Sequence, residues 1–149
     1  ENVPGVLASI AALTACETAI ANQEQTVREQ WRDEFEQQLS VALPAVRILG
    51  RDDLRLWNTS MLILPDVNCA FRWVVKLDKE GFAVSTGSAC ASGIEKLSHV
   101  LTAMGLTQSE ISNAIRISSG WQTSKEDWDR LLTCILEVAA STRQQLRQE

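Results

Sequence analysis

Cys90 stands among small residues: Thr86, Gly87, Ser88 and Ala89 precede it, and Ala91, Ser92 and Gly93 follow. A packed cysteine usually has bulky apolar neighbours. This segment has little side chain to bury, so it is expected at the surface and able to move. A thiol so placed suits sulfur chemistry, in which the thiolate attacks. At an ordinary pKa of about 8.5 only a few per cent is thiolate at neutral pH, yet cysteine still attacks without a strong base beside it. The same composition fits a flexible linker that happens to hold a cysteine. Arg116 lies between Ile115 and Ile117. An arginine in such a run is costly unless its guanidinium is paired, and a carboxylate is its natural bidentate partner. The alternative is an edge-strand arginine reaching solvent. His99 is the single histidine and follows Cys90 by nine positions. Its place at a helix start, between Ser98 and Val100, favours a capping or packing role over that of a base for Cys90.

The 149 residues suffice for one domain with a real core, and 45% are apolar. The formal net charge is −5 and there is no basic stripe, which argues against nucleic-acid binding. No apolar run is read as long enough to span a bilayer, and no signal peptide is expected. The cysteines are Cys16, Cys69, Cys90 and Cys134, without C-x-x-C spacing or a zinc pattern. Cys16 and Cys134 sit in helical patterns and read as buried small hydrophobes. Cys69 precedes an apolar helix start. Nothing suggests secretion, so a reduced, cytoplasmic protein is expected.

The elements that must position these residues follow from periodicity. Residues 5–43 read as helix, with one stripe of Val6, Ile10, Leu13 and Ile20 and another of Val27, Trp31, Phe35 and Leu39. The polar run from Asn22 to Thr26 predicts a kink between them. The charges Arg28, Glu29, Arg32, Asp33 and Glu36 read as a solvated face. Residues 46–49 and 59–64 read as strands and 69–79 as a helix capped by Gly81. Phe82 to Val84 reads as a short strand leading into the Cys90 loop. Ser98 starts a helix that Gly105 ends, and Thr107 to Glu110 form a capping box. Residues 115–117 are a strand. Ser124 to Asp127 cap a last helix, with Trp128, Leu131, Leu132, Ile135 and Leu136 on one face. The polar tail from Arg143 should fray. Trp57 and Trp121 border turns, while the other tryptophans fall at core positions. This order predicts an α+β fold: a small, mainly antiparallel sheet with helices packed on it, one domain over residues 1–149.

Four collinear motifs then point to a family. Ser85-Thr-Gly-Ser-Ala-Cys90-Ala-Ser-Gly, followed by Ser98-His-Val-Leu, resembles the active-site loop of cysteine desulfurases of the nitrogen-fixation and iron–sulfur-cluster type. Glu1-Asn-Val-Pro-Gly5 resembles the start of that family's C-terminal region. Leu56-Trp-Asn-Thr59 resembles L-P-N-T, and Ala114-Ile-Arg-Ile-Ser-Ser-Gly120 resembles S-I-R-F-S-L-G. The resemblance runs from Glu1 to about Ala140 and implies the small C-terminal domain of fold-type I pyridoxal-phosphate transferases.

It further implies that Cys90 takes sulfur from cysteine as a persulfide, releasing alanine, and passes it to an acceptor for iron–sulfur cluster or thio-cofactor assembly. Arg116 would grip the substrate carboxylate. Asn58 falls among the substrate-side residues, and its own setting reads as a hydrogen-bonded turn. A homodimer, a sulfur-acceptor or scaffold partner and a pyridoxal-phosphate-binding large domain are implied; nucleic acid and membrane are not. The cofactor's lysine, stacking histidine and aspartate have no match here. Lys76, Lys79, Lys96 and Lys125 lack the family setting. Glu95-Lys-Leu97 replaces leucine-glutamate-proline. The chain is expected to be a piece, or a reduced form, of a longer protein, inactive alone. The alternatives are an interaction module derived from this domain, or a sulfur-acceptor thiol protein. The substrate stays open among cysteine, selenocysteine and cysteine sulfinate.

Overall fold

A computed structural model describes residues 2–65, 73–86 and 98–145. Six described helices and four strands follow the order α1 (Val3–Ala21), α2 (Glu24–Ala42), β1 (Arg47–Leu49), β2 (Thr59–Ile63), α3 (Trp73–Lys79), β3 (Ser85–Thr86), α4 (His99–Ala103), α5 (Gln108–Ser112), β4 (Ala114–Ser118) and α6 (Lys125–Gln145). The strands form one antiparallel sheet in the order β1-β2-β4-β3. The α+β expectation stands.

Alternation along the strands divides the sheet into two faces. Ile48, Leu62, Ile115 and Ile117 point one way. They meet Phe35 and Leu39 of α2 and Trp128, Leu131 and Ile135 of α6 in the main core. The rings of Phe35 and Trp128 lie 4.9 Å apart and tilted, a favourable aromatic contact. On the other face Leu49, Ile63 and Ala114 pack with Leu101, Leu106 and Ile111 in a smaller cluster under α4 and α5.

Element ends follow their local chemistry. Ser98 caps α4, its hydroxyl accepting from the Leu101 N–H. Thr107 and Glu110 form the expected capping box on α5. Ser124 and Asp127 bond reciprocally at the start of α6. Gly81, at φ +86°, turns the chain out of α3 while the Phe82 N–H donates to the Leu77 carbonyl. The kink also occurs: Gln23, at φ +56°, separates α1 from α2.

Several expectations are corrected. The strand placed at Phe82 to Val84 is Ser85–Thr86 instead, because those two residues pair with β4. The run at the N-terminus is long and apolar enough to cross a membrane by length and composition: α1 has 19 residues and mean hydropathy 1.6. Cys134 is buried, but Cys16 is exposed, because α1 buries none of its residues. The supposed solvated face of α2 is partly interior, with Arg32 2% and Glu36 0% exposed. The backbone of α6 stays helical to Gln145, past Arg143. Cys69, Lys96 and the tail beyond Gln145 lie outside the described residues.

Candidate functional site

Arg116 occupies the sheet face opposite the main core. It sits in a row that crosses all four strands: Leu49, Met61, Arg116 and Ser85 are register partners in turn. Thr59 and Ser118 form the next row of that face. The helices α4 and α5 cover the Ile63–Ala114 end and leave Arg116 half-buried and Ser118 exposed. The strand carrying Arg116 is not an edge, since β4 pairs with both β2 and β3. Among the described residues no carboxylate pairs with its guanidinium. An unpaired fork on a partly covered sheet face can take a carboxylate in bidentate fashion.

The strand exit next to Arg116 is tied down from several sides. Asn58 Nδ2 donates to the Ser119 carbonyl at 2.9 Å, and the Ser119 N–H donates back to the Asn58 carbonyl at 2.9 Å. Thr59 Oγ1 donates to Asn58 Oδ1 at 3.2 Å. Both ends of the Asn58 carboxamide are thus engaged within the protein, which fits the hydrogen-bonded turn. Trp57 lies against Trp121, ring centroids 5.1 Å apart. Arg28 stacks over the Trp121 ring at 4.9 Å and donates from Nη2 to the Trp121 carbonyl at 2.6 Å.

A buried ionic network carries the connection from Gly50 to Asn58. Arg55 places Nη1 and Nη2 on the two oxygens of Glu36, each at 2.7 Å, and Ser60 Oγ donates to Glu36 Oε1 at 2.7 Å. The bond to Glu36 raises the Arg55 pKa further, so the guanidinium stays charged despite its partial burial. Arg32 Nη1 donates to the Leu56 carbonyl at 2.6 Å, and its other nitrogens bond Asp33 and Glu29. Sequence reasoning missed this network and the Arg28–Trp121–Trp57 stack. The available signal was that Arg32 and Glu36 flank the Trp31–Phe35–Leu39 stripe one residue on.

Cys90 lies outside the described residues, in the interval 87–97 that follows β3. His99 is exposed at the start of α4, where the cap is Ser98 and not the histidine. Burial pushes the Cys134 thiol pKa up, aided by Glu80 and Glu137.

The described residues do not fit a pyridoxal cofactor. Lys125 is held charged by Glu34 and Asp129. Lys76 and Lys79 share the last turn of α3, and Lys96 lies outside the described residues. The one histidine is at a helix start, not in a serine-histidine-lysine run.

No family model matches the chain. It is 36% identical over 150 residues to cysteine desulfurase 2 of Trichormus variabilis, a match covering 96% of this chain and 35% of that protein. It is 37% identical over 143 residues to a cysteine desulfurase of Cereibacter sphaeroides, covering 96% and 36%. The cysteine desulfurase IscS of Methanosarcina thermophila is 31% identical over 149 residues, covering 96% and 35%. The chain therefore spans about a third of the length of these relatives. A solved NifS-like protein shares the fold at TM-score 0.76 and 24% identity, over 94% of this chain and 34% of that one. A second, from Rickettsia africae, does so at TM-score 0.65 and 24% identity, over 78% and 29%. The sequence matches make this chain a homologue of the cysteine desulfurases along 96% of its own length.

Proposed function

We propose that this chain is the sulfur-carrying part of a cysteine desulfurase, with Cys90 as the persulfide carrier and Arg116 as the clamp for the substrate's carboxylate. The observation that carries the reading is Arg116: an unpaired guanidinium among the described residues, fixed in the middle of a sheet on its partly open face. Asn58 acts on substrate binding by holding the exit of β4, not by touching substrate. The Cys90 thiol takes the sulfur atom of cysteine: an S–S bond forms, the substrate's C–S bond breaks, carbon is reduced to the methyl of alanine and sulfur is oxidised to the persulfide level. Arg116 is joined in register to Ser85, and Cys90 follows Thr86 by four residues. An extended chain covers at most about 3.3–3.6 Å per residue. The same strand pair thus anchors the clamp and the start of the segment that bears the thiol.

The pyridoxal phosphate needed to labilise the C–S bond belongs, in this reading, to the two thirds of the relatives outside the aligned stretch. The complete protein is a cytoplasmic homodimer that hands sulfur to an acceptor or scaffold protein. The test is a chimera in which this chain replaces the aligned third of the Trichormus variabilis desulfurase. Incubation with cysteine should place a persulfide on Cys90, found by peptide mass mapping. A chimera that loads cofactor and releases alanine without marking Cys90 would remove the assignment.

A further inference from the structure

We infer that Arg28, Arg32 and Glu36 of α2 are positioning residues for the Arg116 clamp. The inference rests on the desulfurase reading and names residues that reading leaves unassigned. Spaced four apart, the three follow one side of the helix on successive turns. Each grips a different segment around β4. Arg28 Nη2 donates to the Trp121 carbonyl at 2.6 Å, just beyond the strand exit. Arg32 Nη1 donates to the Leu56 carbonyl at 2.6 Å, two residues before the Asn58 that holds Ser119. Glu36 Oε1 accepts from Ser60 Oγ at 2.7 Å, and both its oxygens hold Arg55. Ser60 is the register partner of Ile117, and its neighbours Thr59 and Met61 pair with Ser118 and Arg116. One side of α2 thus fixes β2 opposite the clamp, the connection that enters β2 and the chain that leaves β4.

Stability alone does not account for this arrangement. Apolar side chains of similar volume replace a buried ion pair at little or no loss, and α2 already sends Phe35 and Leu39 into the main core. Polar groups add direction. Apolar contacts tolerate sliding, whereas these bonds end on particular atoms. Two of them end on backbone carbonyls, so they set the course of the chain itself. Arg116 has a use for such precision. A bidentate grip on a carboxylate depends on the placing of a planar fork, and a misplacement of about 1 Å in a site can cost about a hundredfold. Ser60 and Ile117 lie on the core face and Arg116 on the opposite one. The three residues of α2 therefore act on the clamp through the strands.

The test compares cysteine with 2-aminoethanethiol, which lacks the carboxylate, as ligands of the cofactor-loaded chimera. Arg32→Met, and Glu36→Leu combined with Arg55→Leu, should raise the half-saturating cysteine concentration about tenfold in cofactor spectra. The rate of Cys90 persulfide formation at saturating cysteine should stay within about twofold of the parent. Binding of 2-aminoethanethiol should not change. Arg32→Met added to Arg116→Ala should weaken cysteine binding no further, because both act on one contact. A purely structural loss would lower the folded fraction, and with it the spectral amplitude, without moving half-saturation. Should the double leucine variant not fold, Arg28→Met and Ser60→Ala leave the ion pair in place and carry the same test. Unchanged half-saturation in folded variants would overturn the inference. So would equal weakening toward both ligands. Selective weakening toward cysteine without persulfide on Cys90 would support the positioning role and remove the carrier assignment.

Discussion

Glu36 shows how much one side chain decides. Its carboxylate is fully buried and bonds Arg55 twice and Ser60 once. Removing one member of a buried ion pair leaves the other charge uncompensated. Glu36→Ala is expected to cost about 3 kcal/mol, read as a lower urea midpoint. Replacing Glu36 and Arg55 together by leucine should cost less than the sum of the single losses, because no stranded charge remains. An additive double variant would mean that the pair is not coupled. At the proposed site, Cys90→Ser and Arg116→Ala should fail differently in the chimera. Serine is a poor nucleophile toward sulfur, so the first variant should bind cysteine yet form no persulfide. The second loses a charge-assisted contact worth about 1.5–3 kcal/mol, so cysteine binding should weaken roughly tenfold to a hundredfold. Cofactor spectra on titration with cysteine separate the two. Undiminished binding by Arg116→Ala would disprove the clamp.

The elements are set by their ends as well as by their faces. The Asp127 carboxyl accepts from the Ser124 N–H and hydroxyl at the start of α6, and these bonds hold its pKa below the ordinary range. A depressed carboxyl stabilises the fold above its unfolded pKa of about 3.9 and loses that contribution as pH falls through the folded value. The melting difference between the parent chain and Asp127→Asn should therefore shrink between about pH 7 and pH 3. A constant difference would show that the cap acts through shape alone. Gly81 stands at φ +86°, and no atom beyond Gly81 and its two chain neighbours lies within 4 Å of the place a Cβ would take. Gly81→Ala should thus cost only the left-handed backbone term, about 1 kcal/mol, and a larger loss would mean that α3 repacks.

For the molecule as a whole, the body between α2 and α6 carries the sheet, and α1 stands off it with its apolar surface open. In the proposed function the catalytic parts are divided in the same way: the clamp strand and the carrier cysteine would belong to this chain, and the residues that hold a pyridoxal cofactor to the rest of the protein. The free chain, incubated with pyridoxal phosphate, treated with borohydride and dialysed, should retain no stoichiometric adduct. A single adduct on Lys76, whose ammonium pKa burial lowers, would refute that division.

Local chemistry alone determined the caps at Ser98, Thr107 and Ser124, the turn at Gly81, the kink before α2 and the two central strands, because each depends on neighbours within a few residues. The apolar alternation of Ile115 and Ile117 also determined that Arg116 must face the other way. What covers each face was settled only in three dimensions. Periodicity marks an apolar stripe without saying what lies against it. The stripe of α2 therefore found the sheet, while the equally regular stripe of α1 stays unburied, and Cys16 came out exposed. Polarity likewise marks Arg32 and Glu36 as charged without revealing Arg55, Ser60 and the Leu56 carbonyl, which the fold brings from 19 to 24 residues away. Distant partners turned a solvated face into a buried network, and they turned the edge-strand arginine into one held between two neighbouring strands.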